Sequence, residues 1–127
     1  MKRFRVEKLI RDKILGNILA NELNKVDYQI LDKKNFLVNL KKKFFEELEE
    51  LDLNNKEDAI KELVDLQLII DTCLKALKID KKEFRKVFDK KNQDLGKFDK
   101  KIYMKIVDLD EDDEWFDYYK KKFKEIK

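Results

Sequence analysis

Between Lys56 and Leu77 the chain runs for about six helical turns without a proline or a glycine. Projected at about 100° per residue, Ile60, Leu63, Leu66, Ile70, Cys73, Leu74 and Leu77 fall on one side of that helix, and Leu68 and Ile69 on the other. A helix apolar nearly all round has to be covered by other helices, so this segment predicts the buried centre of an all-α fold. No proline and two glycines in 127 residues leave little room for strands and tight turns, and 43% hydrophobic with 46% charged residues describe amphipathic helices rather than a disordered chain.

The neighbouring segments supply the cover. Val6, Leu9, Ile10, Ile14, Ile18 and Leu19 predict a helix from Val6 to about Leu23, weakened at Gly16 and Asn17. After the polar run at 32–35, Leu37, Leu40, Phe44, Leu48 and Leu51 form the stripe of a second helix, which stops at Asn54 and Asn55. Only a few residues then separate it from the helix beginning at Lys56, so the two form an antiparallel hairpin, as in proteins of four-helix-bundle type. A fourth helix opens at Asp80, with Glu83 at capping-box spacing, and runs to about Leu95 before Gly96. "KIYMKIV" predicts a short strand or extended arm near 102–107. Acids followed by lysines then predict a closing helix, packed by Trp115, Phe116, Tyr118 and Tyr119. The expectation is one domain over 1–127, with apolar faces that exceed what one chain covers and call for a homodimer or higher homo-oligomer.

One cysteine and no histidine exclude a disulfide framework, a Cys/His zinc site and any histidine-based triad. A formal net charge of +3 from 31 basic and 28 acidic residues is too even to imply nucleic-acid binding, which is not expected. No apolar run approaches the roughly 20 residues of a membrane span and the first residues lack a secretory core, so the expected location is the cytoplasm.

Four carboxylates fall where they are costly. On the second helix Glu47 lies about 60° from Phe44, in the series 37, 40, 44, 47, 51, and Glu50 follows on the same flank. On the third, Glu62 lies about 100° from Leu63, with Asp65 about 60° beyond it. Across an antiparallel hairpin the two pairs face each other, and clustered carboxylates repel unless a cation stands between them. An all-oxygen cage of this kind suits Mg²⁺ or Mn²⁺. The alternative is that all four are rim residues in ordinary salt bridges with the abundant lysines.

Written out, Glu46-Glu47-x-x-Glu50 followed by Glu62-x-x-Asp65 resembles the EExxE…ExxD signature of the MazG-like all-α nucleoside triphosphate pyrophosphatases. "KLIRDKI" at Lys8–Ile14 and "KKNQDLGKFDKKIYM" at Lys90–Met104 are similar to segments of the phosphoribosyl-ATP pyrophosphohydrolase-like subgroup of house-cleaning enzymes. The resemblance covers about residues 6–107. It departs at Leu15, where the subgroup has proline, and at Leu95, where it has arginine.

The resemblance implies a MazG-like fold and Mg²⁺-dependent cleavage of a nucleoside triphosphate between its α- and β-phosphates. The products are the monophosphate and pyrophosphate. It implies Glu47, Glu50, Glu62 and Asp65 as metal ligands and Glu46 as a neighbouring acid that orients water. Lys8, Arg11, Lys13, Lys91 and Lys97 are the candidate phosphate contacts, Arg11 foremost because its fork holds phosphate in two bonds. The rival reading is a non-enzymatic helical module whose lysine runs at 41–43 and 120–122 contact an acidic partner or nucleic acid.

Overall fold

A computed structural model describes all 127 residues and is all-helical, without strands: α1 (Asp12–Leu19), α2 (Lys33–Glu50), α3 (Lys56–Ala76), α4 (Lys81–Leu95) and α5 (Phe116–Lys122). The chain divides into two compact units, Met1–Asp89 and Lys90–Lys127.

In the first unit the principal packing is α2 against α3. Asp32 caps α2 by accepting from the Asn35 backbone N–H at 2.8 Å, so the helix begins within the polar run rather than after it. Leu51 leaves α2 in extended backbone, and Asn55 starts α3 by accepting from the Asp58 N–H, as the asparagine pair predicts. The third helix ends where expected, by a route its sequence hides. Lys78 takes φ +56°, Ile79 N–H donates to the Leu74 carbonyl and Lys78 N–H to that of Lys75, a Schellman closure with lysine in the place usual for glycine.

The hairpin seam buries Leu40 and Glu47 from α2 and Ala59, Leu66 and Ile69 from α3. Two expectations need correction here. Leu48, placed on the core stripe, is 46% exposed while Glu47 is 7% exposed, so the buried stripe is rotated toward the acid. And α3 is not a buried central helix within this chain: Ile60, Leu63, Val64 and Leu68 stand exposed, because a single partner helix covers only one side of it. The packed core of the first unit is the α2–α3 hairpin.

The first helix is also shorter than its apolar pattern. Glu7 at φ +51° breaks the helical path, Arg11 is an extended N-cap without a side-chain bond, and Asn24 closes the far end by donating to the Ile18 carbonyl at 2.9 Å. Residues 7–11 therefore run as irregular backbone.

In α4, Asp80 accepts from the Lys82 N–H, in keeping with its predicted place at the helix start. Gly96 at φ +80° accommodates the turn at the other end. In the second unit, residues 101–110 form no strand, since a strand needs a neighbour to pair with and none is present. The closing helix starts at Phe116 rather than in the acidic run. The carboxylates of Asp110 and Asp113 accept from the N–H groups of Asp112 and Trp115 and hold that run in turns. Tyr118 packs edge-on against Trp115, Tyr119 and Phe123 at centroid distances of 6.0, 5.3 and 6.4 Å.

Candidate metal centre

The hairpin brings three of the four expected carboxylates together. One oxygen each from Glu47, Glu62 and Asp65 lie within 4.8 Å of one another. Glu47 comes from the last turn of α2, Glu62 and Asp65 from the second and third turns of α3, and the short connection sets them opposite one another. Glu50 contributes no oxygen to this group. It is the last residue of α2 and exposed, yet near enough for its charge to act on Glu62.

Glu62 records the strain of this arrangement. Its Oε2 is shielded from solvent and has no hydrogen-bond donor. Its pKa is pushed up to about 7 from 4.5, first by a hydrogen bond with Glu47 that only a protonated carboxyl can donate, then by burial and by the charges of Glu47, Glu50 and Asp65. Two facing carboxylates thus either share a proton or share a cation. Glu47 is the deepest, and its partner is Lys43 on the preceding turn, at 3.4 Å. Side-chain oxygens without nitrogen or sulfur donors match the preference of hard divalent ions such as Mg²⁺ or Mn²⁺.

A ring of cations borders the acids. Arg11 Nη2 donates to Asp65 Oδ1 at 2.5 Å. Lys8 and Lys43 both reach Glu46 Oε1, at 3.1 and 3.3 Å. Burial alone would raise the Glu46 pKa, but the bonds from Lys8 and Lys43 outweigh it and hold the carboxyl below its usual value. Burial would likewise lower Lys43, and Glu46 and Glu47 reverse the sign and raise it. An open cleft lies between residues 7–9 and α2, with Asn39, Lys42, Lys43 and Glu46 along it. Lys13 is exposed and makes no ion pair. In the second unit, Lys91 on α4 and Lys97 just past Gly96 are exposed and likewise make none.

Lys43 is the residue that sequence reading missed at the site, naming it only within the 41–43 lysine run of the rival reading. The signal was present: Glu46 and Glu47 follow it at three and four residues, the spacing of helical ion pairs. Comparison with protein-family profiles, curated proteins and solved structures finds no match to this chain. No helix is long and apolar enough to cross a membrane.

Proposed function

We propose that this chain is a MazG-like nucleoside triphosphate pyrophosphohydrolase dependent on Mg²⁺, for which Mn²⁺ can substitute. The observation that carries the reading is the placement of Glu47, Glu62 and Asp65 within 4.8 Å, with Glu47 buried and Glu62 Oε2 lacking any donor. A carboxylate buried among carboxylates destabilises a fold unless something positive joins it; Lys43 reaches Glu47 and Arg11 reaches Asp65, but Glu62 Oε2 has no partner. Glu47, Glu62 and Asp65 would hold the ion, with Glu50 at the helix end as the fourth ligand. A divalent ion held there supplies charge neutralisation for the triphosphate and lowers the pKa of water.

The chain's own residues supply the rest. Glu46, kept ionised by Lys8 and Lys43, is an acceptor beside the nest that can orient water. Lys8 and Arg11 stand on the same side as the acids and carry the charge to bind phosphates, with Lys13 as a further candidate. The exposed apolar face of α3, Ile60, Leu63, Val64 and Leu68, would be covered by a second copy, and a homodimer built on two hairpins gives the four-helix arrangement. Clearance of abnormal nucleotides in the cytoplasm is the role that accompanies this reading.

The test is direct. Purified protein is incubated with ordinary and modified nucleoside triphosphates, with Mg²⁺, Mn²⁺ or EDTA, and the products are separated by chromatography. Monophosphate and pyrophosphate that appear only with metal support the reading. Binding of nucleic acid that weakens steeply with salt, without turnover, would favour the lysine-rich module instead. Lys43 turned onto Glu46 and Glu47 weighs against that module, since it removes one charge from the 41–43 run.

A further inference from the structure

We propose that Arg11 is a counterion latch: it neutralises Asp65 while the carboxylate nest lacks a divalent ion, leaves Asp65 when the ion enters, and is thereby freed to bind the triphosphate. This rests on the metal-centre reading above.

Three observations carry it. Arg11 donates to Asp65 Oδ1, an oxygen of the very residue that completes the three-carboxylate group, so guanidinium and metal compete for one carboxylate. Arg11 is free to move: it sits on irregular backbone at the start of α1, makes no capping bond, and its side chain is 52% exposed. And the pair is long-range, joining the amino-terminal segment to α3, so its release changes what that segment can reach. Lys8 is held by Glu46, outside the three-carboxylate group, and does not compete directly.

Competition has a sign that a supporting role does not. Were Arg11 present to orient Asp65 as a ligand, its removal would weaken metal binding. As a latch, its removal strengthens it, because the ion no longer displaces a positive charge. Linkage adds a second consequence: a triphosphate that draws Arg11 away from Asp65 tightens metal binding, and that share of the coupling between metal and triphosphate is lost with the arginine.

Mn²⁺ affinity of the full chain, read by electron paramagnetic resonance, tests both. Four proteins are compared, the wild type, Arg11→Met, Asp65→Asn and Lys25→Met, each with and without an α,β-methylene nucleoside triphosphate, and circular dichroism checks the fold of each. Lys25 is exposed and unpaired, and controls for loss of one positive charge. The expected result is roughly tenfold tighter Mn²⁺ binding in Arg11→Met, with Lys25→Met near the wild type. The analogue is expected to tighten Mn²⁺ binding more in the wild type than in Arg11→Met. Asp65→Asn loses Mn²⁺. Unchanged or weaker binding in Arg11→Met, while Asp65→Asn loses the ion, overturns the latch and leaves the metal centre standing. Equal Mn²⁺ binding by Asp65→Asn and the wild type, or none by either, overturns the centre and the latch together.

Discussion

The α2–α3 hairpin and the segment Lys90–Lys127 have similar ingredients, lysines, acids and large apolar side chains, and put them to opposite use. In the hairpin five residues are buried, and one of them is an acid, Glu47. In the second unit none is buried, and Asp110 and Asp113 bond only to nearby backbone in solvent-exposed turns. A carboxylate in water costs nothing to keep ionised, whereas one at a helix–helix seam persists only with a compensating charge. What distinguishes a candidate site from surface acidity is therefore burial, since the acidic run at 110–114 is denser in charge but has no reason to bind an ion.

The largest expected effect falls on the hairpin's acids. Glu47→Gln should lower pyrophosphohydrolase turnover by at least about 100-fold while circular dichroism keeps its helical signal. A fully active variant would remove the distinction between the two regions. Next in size is Lys43→Met, which strips Glu47 of its partner and should cost about 2 kcal/mol in urea denaturation. The equivalent loss of Lys90, paired in the open with Asp94 at 3.0 Å, should cost about 0.5 kcal/mol or less. Equal costs would show that the seam is wetter than its burial implies.

The third concerns pH in EDTA. Because Glu62 binds its proton more tightly folded than unfolded, its contribution is fully present below about pH 4.5 and is lost as pH rises through about 7. Thermal melts of Glu62→Gln against the wild type should then separate progressively between about pH 4.5 and about pH 7 in favour of the variant, and converge in acid. Parallel profiles would place Glu62 in ordinary solvent. The smallest effect is at the hairpin's end: Lys78→Gly relieves the left-handed conformation and should raise stability by about 1 kcal/mol or less, the gain being offset by a floppier unfolded chain. A loss on substitution would mean that the lysine side chain makes up for its backbone.

Much of the helical plan was legible in the sequence. Asn55 capping α3, Gly96 closing α4 and the hairpin itself follow from local spacing, where each signal acts within one or two turns. The termini misled for a shared reason. The apolar pattern of residues 6–23 and the acid-to-lysine order of the tail both describe a helix, but neither shows that Glu7 leaves the helical region or that Asp110 and Asp113 capture backbone N–H groups. At the site, projection placed Glu47, Glu50, Glu62 and Asp65 on facing edges and could not rank them by depth.

Depth is what tertiary structure decided. The sequence by itself determined that the chain is helical, that α2 and α3 pair, and that acids line their edges, because helical period and loop length are local quantities. Which acid is buried, that Lys43 turns inward, and that Arg11 crosses to Asp65, 54 positions away, depend on how the helices rotate against each other and where residues 7–11 lie. Those follow from the whole packing arrangement, in which a side chain's surroundings come from residues remote in the chain.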